Sequence, residues 1–264
     1  MDLSIIIPAK NEPYLQQTID DVFYKAKNDI EVIVILDGYW PVPQLITRDH
    51  LVIVHKGRSH GMRSAINTGA SLVKGKYLLK CDAHCAFESD FDEKLVRASG
   101  KDMLQVPRRY ILNPEAWDRT EKYYDFEYIE KDTLKGRKWP EYANRIDGQK
   151  LPDLMTFQGS CWFMEKALFE KIGGLDEKNY GGMGREAQEV CLKVWLSGGS
   201  CVRNLDTWYA HWNKPGKFVL KSKEEKQKSE ARAKEIWLND AWPGAVRKLD
   251  WLIEKFKPVP GWHQ

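Results

Sequence analysis

The chain has 264 residues, of which 42% are hydrophobic and 30% charged, with a formal net charge of +3. That length suits one α/β domain with an appended segment, and it is enough to bury a substantial core. No apolar run approaches the roughly 18–20 residues of a membrane span, and the mild charge permits a polyanionic partner without demanding one.

In chain order, Leu3–Pro8 is an apolar run fit for a buried strand. Tyr14–Lys27 carries Leu15, Ile19, Val22 and Phe23 at helical spacing. Glu31–Leu36 reads as a second strand closed by Asp37-Gly38, and Leu51–His55 as a third. Gly61–Leu72 reads as a helix and Lys76–Cys81 as a fourth strand. Strands alternating with helices predict an α/β fold whose central sheet is mainly parallel and flanked by helices. Ligands of such sheets bind beyond the carboxyl ends of the strands, where Asp37 and Asp82 both fall.

After Met103–Pro107 the pattern loosens. Residues 108–152 are rich in charged and aromatic side chains, which predicts an insertion with some helix. Leu154–Met164 returns to strand character, broken at Gly159-Ser160. Lys166–Ile172 is a short helix. Glu186–Leu196 is a second one, stopped by Gly198-Gly199, and Cys201–Trp212 is extended. From Lys221 the tail reads as a polar helix followed by an amphipathic one that docks on the rest. The predicted organisation is a main domain over 1–215, with 108–152 as an insertion, and a helical extension over 216–264.

The most informative motif is Asp82-Ala83-His84, at the tip of the fourth strand. Residues i and i+2 of a strand project the same way, so a carboxylate and an imidazole there can share a divalent cation. Such a cation is a common grip on a diphosphate. A polar turn is the alternative for that tripeptide. Five cysteines without paired C-x-x-C spacing point to reduced thiols in a cytoplasmic compartment. The start, Met1-Asp2-Leu3-Ser4, carries no basic region of the kind that opens a signal peptide. Cys81 and Cys85 flank the tip, which leaves a zinc site as a rival.

Several segments, taken as an ordered set, resemble the family 2 glycosyltransferases. They are Ser4–Glu12 as the opening strand, Val34–Gly38 ending in Asp37, Gly61–Ala70 as the helix beside the phosphates, and Asp82-Ala83-His84 in place of an Asp-x-Asp metal motif. The histidine resembles the Asp-Ser-His of polypeptide N-acetylgalactosaminyltransferases. So do Gly181-Gly182-Met183-Gly184-Arg185-Glu186 through Trp195, and Tyr209-Ala210-His211-Trp212-Asn213-Lys214. The resemblance spans residues 3–214, and the format is closer to bacterial and phage members.

The resemblance implies a Rossmann-like GT-A fold, a UDP-sugar donor, a Mn²⁺ or Mg²⁺ cofactor, and a bacterial or phage-infected host cytoplasm. Asp82, His84 and His211 are the implied metal ligands, and Asp37 would accept the uracil N3–H. Pro8, Asn11, Glu12, Arg58, Arg63 and Trp162 would complete the nucleotide-sugar site, with Glu12 alternatively capping the following helix. Glu186 and Glu189 are the candidate catalytic carboxylates, because Ala187 stands where inverting relatives carry an Asp base. Either one of them is the base, or the reaction retains configuration and needs none. Arg108, Arg109 and Tyr110 could grip an acceptor: a hydroxymethylated pyrimidine in DNA, a protein Ser/Thr, or a glycan. A nucleotidyltransferase or a non-catalytic nucleotide-sugar-binding module is the competing reading.

Overall fold

The computed structural model describes residues 2–180, 184–214 and 223–262. The first half follows the alternation in the sequence: β1 (Leu3–Ala9), α1 (Leu15–Lys25), β2 (Ile30–Asp37), β3 (Leu51–Lys56), α2 (Met62–Leu72) and β4 (Tyr77–Cys81). These strands lie in the order β3-β2-β1-β4, all parallel. Every residue of β2 and β4 is buried, as expected of parallel strands covered on both faces. Leu15, Ile19 and Val22 put one face of α1 into the core. Helix α2 crosses β1 so closely that a Cβ at Gly69 would collide with the Ile6 side chain.

Beyond β4 the sheet becomes mixed. The next elements are β5 (Cys85–Phe87), α3 (Phe91–Arg97), β6 (Met103–Asn113), β7 (Asp118–Tyr124), β8 (Glu127–Ile129) and β9 (Gly136–Lys138). A 3-10 turn over Pro140–Arg145, β10 (Cys161–Glu165), α4 (Lys166–Lys171), α5 (Glu186–Leu196) and β11 (Ser200–His211) follow. Strand β10 inserts antiparallel between β4 and β6, while β11 runs parallel to β6 and antiparallel to β5. This topology brings the ends of β4 and β11 together although 129 positions separate Asp82 from His211.

The segment 108–152 contains the expected helix only as one 3-10 turn and is built mainly of strands. Strand β6 runs on to Asn113 and folds back on β7, β8 pairs with β9, and the 3-10 turn is the only helical element there. The reason is a period of two: along β6, Tyr110 and Leu112 pack under Trp208 and Trp117 while their neighbours face the other way. Strand character within 154–164 is also confined to Cys161–Glu165, with residues 153 and 156 making isolated bridges.

In the tail, α6 (Lys223–Trp237) and α7 (Leu249–Lys255) both pack on the core. Polar α6 buries Ser229, Ala233, Ile236 and Trp237, and Trp237 Nε1 donates to Tyr180 Oη at 2.7 Å. Leu252 and Phe256 from the α7 region are buried as well, the latter against Trp195. All five cysteines are buried free thiols.

Candidate active site

Strand β4 ends at Cys81, and Asp82 continues its line by donating its N–H to Ser160 O at 2.8 Å. His84 follows, and the end of β11 brings in His211. His84 Nε2 lies 3.0 Å from His211 Nε2, which lies 3.3 Å from Asp82 Oδ2. One ligand atom from each of the three residues falls within 4.8 Å of the others.

At that separation the two imidazole nitrogens either share one proton or share a cation. Two ligand atoms about 2.1 Å from one ion, at a right angle, sit about 3.0 Å apart. Burial pushes the His211 imidazole down to about 4, against the pull of Asp82, so it is neutral at neutral pH, as a metal ligand must be. One carboxylate oxygen and two nitrogens fit Mn²⁺ better than Mg²⁺, which prefers all-oxygen shells. The set contains no cysteine. Cys81 and Cys85 are buried thiols that join no metal-ligand group among the described residues.

Two neighbours of this set are Glu12, which the sequence placed in the site without its contact to His84, and Lys80, which it did not single out. Glu12 neither caps α1, whose N-terminus has no side-chain cap, nor simply lines the nucleotide end. Its Oε2 accepts from His84 Nδ1 at 3.0 Å, and its Oε1 pairs with Lys214 Nζ at 2.5 Å. A carboxylate behind a ligating histidine fixes the tautomer and the ring orientation. The second neighbour is Lys80, whose fully buried ammonium bonds Asp82 Oδ1 and donates to Gly159 O at 2.8 Å. Burial alone would raise the Asp82 carboxyl. Lys80, aided by His211, outweighs it and holds that carboxyl well below the usual range. A lone lysine inside the apolar run Tyr77–Cys81 was the visible signal.

These residues line a pocket of about 400 Å³ together with Pro8, Met62, Gln158, Gly159, Glu186, Trp212 and Asn213. Glu186 opens α5 at its edge, and Glu186 Oε2 is buried without a hydrogen-bond partner. Glu189 does not reach the pocket. It is 1% exposed, its Oε2 pairs with Arg63 Nε at 2.9 Å, and its Oε1 meets Lys193 Nζ at 2.9 Å and Asp176 N at 2.6 Å. Glu189 and Arg63 are thus engaged with each other inside the fold, and neither lines the pocket. Arg63 is buried, donates to Gly184 O at 2.8 Å and lies over the Tyr180 ring. Trp162 is likewise a core residue, 1% exposed and stacked on Phe169, because its place on β10 points it away from the pocket.

At the end of β2, Asp37 Oδ2 accepts from Ser59 Oγ and Gly61 N, and Oδ1 from His60 N, at 2.7–2.8 Å. Burial would raise this carboxyl; the three donors outweigh it and lower it. Asp37 thus fastens the loop that leads into α2 and keeps one lone pair of Oδ1 for a ligand. A Cβ at Gly38, which has φ +77°, would collide with Ser59 N, so the close approach needs glycine. Arg58 is exposed on that loop, and Asn11 turns the chain between β1 and α1 with φ +53°. Gly181–Met183 lie outside the described residues.

The expected acceptor trio is engaged within the fold. Arg108 forks onto Asp125, with its Nη2 2.9 Å from Oδ2. Arg109 is buried, with Nη2 donating to Asn213 Oδ1 at 3.0 Å. Tyr110 packs edge-on to Trp208. Arg109 Nε is buried without a hydrogen-bond partner.

Among curated proteins, human polypeptide N-acetylgalactosaminyltransferase 14 is 27% identical over 221 residues, covering 75% of this chain and 38% of that protein. A Macaca fascicularis protein named inactive polypeptide N-acetylgalactosaminyltransferase-like protein 5 is 26% identical over 220 residues, covering 74% and 48%. The chain therefore spans less than half the length of either relative. Among solved structures, GalNAc-T7 with UDP, GalNAc and Mn²⁺ superposes with a TM-score of 0.77 at 16% identity, over 97% of this chain and 56% of that one. S. aureus TarS 1-349 with UDP-GlcNAc gives 0.63 at 15% identity, over 97% and 70%. Both likenesses establish the GT-A fold. The profile of glycosyl transferase family 2 matches residues 4–173, and the chain belongs to that family.

Proposed function

We propose that the protein transfers a sugar from a UDP-sugar to a hydroxyl group, with a divalent cation held by Asp82, His84 and His211. The observation that carries this reading is the convergence of those three ligands with Glu186 in one strand-end pocket. The solved relatives bound to UDP with Mn²⁺, and to UDP-GlcNAc, support the donor class. When bound, the ion supplies positive charge against the leaving diphosphate. Asp37 would orient the uracil through its remaining lone pair. Glu12 would hold the His84 ring in place.

Glu186 would take a hydrogen bond from a sugar or acceptor hydroxyl on its unpartnered oxygen. Glu12 and Asp82, the other two carboxylates of the pocket, are already committed to His84 with Lys214, and to Lys80. With Ala187 at the place of the inverting base, Glu186 is the one remaining candidate. We favour retention, in which the leaving phosphate accepts the acceptor's proton. The engagement of Arg108 and Arg109 argues against a DNA acceptor and for a protein Ser/Thr or a glycan.

UDP release from a panel of UDP-sugars, N-acetylhexosamines first, tests the reading with Mn²⁺ or Mg²⁺ present. Release should vanish in Asp82→Ala and His211→Ala. The same alanine at position 187, and a relative named inactive, favour a second reading as a non-catalytic binding module. Folded protein that binds UDP but releases none from any donor would establish that second reading.

A further inference from the structure

Lys80 is a buried titratable group that this chemistry does not use, and it sits at the base of the metal site. Its ammonium has no solvent exposure. It occupies Asp82 Oδ1 and reaches Gly159 O at 2.8 Å, so it also ties down the Gln158–Ser160 bend that lines the pocket. Asp82 is left with Oδ2 alone to face His211.

The charges follow directly. Of the three ligands, Asp82 is the sole anion, and Lys80 cancels it. The Glu12 carboxylate behind His84 is in turn paired with Lys214, and Glu186 at the pocket edge is not one of the three ligands. Cation affinity at an oxygen and nitrogen site scales with the number of negative ligands, and here that number is close to zero once the lysines are included. A diphosphate restores the missing negative charge on the open side of the site.

We propose that Lys80 is a positioning residue that makes metal occupancy depend on the nucleotide: it neutralises Asp82, so the site holds a divalent cation firmly only together with a diphosphate. This rests on the UDP-sugar reading above. On product release the same ammonium would help expel the ion once the diphosphate leaves.

The test is Mn²⁺ titration of the full chain, read by electron paramagnetic resonance, with and without UDP. In the wild type, UDP should tighten Mn²⁺ binding at least ten-fold. In Lys80→Met, binding without UDP should tighten at least ten-fold, and the gain from UDP should shrink correspondingly. Lys80→Arg should keep the wild-type pattern. Thermal unfolding checks that each variant is folded, and Lys80→Gln stands in if the methionine variant is not.

Two results overturn the proposal. One is a wild type that binds Mn²⁺ equally well with and without UDP. The other is a folded Lys80→Met or Lys80→Gln protein that binds Mn²⁺ no tighter than wild type. Failure of the transferase reading looks different: no donor releases UDP, whatever the Mn²⁺ titrations give.

Discussion

Replacing Glu189 separates a structural carboxylate from a catalytic one. Its two oxygens serve Arg63, Lys193 and the Asp176 N–H, and its side chain has no exposure. Glu189→Leu leaves the Arg63 guanidinium, 1% exposed, and the Lys193 ammonium, 7% exposed, without their shared anion. Removing one partner of a buried pair costs about 3–5 kcal/mol. For a chain of this size that lowers the melting temperature by roughly 6–20 °C. Arg63→Met/Glu189→Leu removes both charges of that pair but leaves Lys193 with only Gly174 O, and should recover part of the loss.

The assays are urea unfolding and UDP release, the latter run where each variant is fully folded. Glu189→Gln should unfold early yet keep a kcat within about three-fold of wild type, since a carboxylate outside the pocket touches no reacting atom. The reasoning is refuted by a Glu189→Gln protein as stable as wild type that has lost turnover by a hundred-fold or more. That outcome would return Glu189 to the catalytic role suggested by its spacing from Glu186.

Three further outcomes follow from the same geometry. Glu12→Gln should weaken Mn²⁺ binding by about 10–100-fold, the usual cost of losing a carboxylate behind a ligating histidine, while UDP binding without metal is little changed; calorimetric titration reads both. Burial pushes the Asp21 carboxyl up to about 6 from 3.8, despite hydrogen bonds from Phe87 N and Trp117 Nε1. A raised carboxyl favours the folded state at low pH, so about 3 kcal/mol present below pH ~4 is lost as pH rises through ~6. Asp21→Asn should flatten that part of the stability–pH curve, and an unchanged slope would contradict it. Trp162→Ala should cost about 3–5 kcal/mol as a core truncation, whereas Trp162→Phe should leave the KM for the donor unchanged in steady-state kinetics.

What the sequence discloses here depends on how local each cause is. Strands β1, β2 and β4 are legible because burial on both faces demands an unbroken apolar run. Asp82 and His84 are legible as a polar pair closing an apolar strand, although Ala83 and His84 form a turn between β4 and β5, so the turn and not a strand's period of two sets their direction. His211 carries no such local mark, and only the resemblance paired it with them. The contact of Glu12 with His84, and Lys80 altogether, escaped for the same reason: they are set by which ends the topology brings together.

Glu189 shows the limit of periodicity most clearly. Three residues of helix do place it near the Glu186 face, but ten of the eleven residues of α5 are buried, so this helix has no single solvent or ligand side. One edge meets the pocket and the adjacent edge meets Arg63 on α2. A rotation of about 60° between positions i and i+3, at 3.6 residues per turn, is enough to move a carboxylate from the chemistry into the core. The identical residue type therefore faces the pocket at position 186 and is fixed in the core at position 189, and only the neighbours distinguish them.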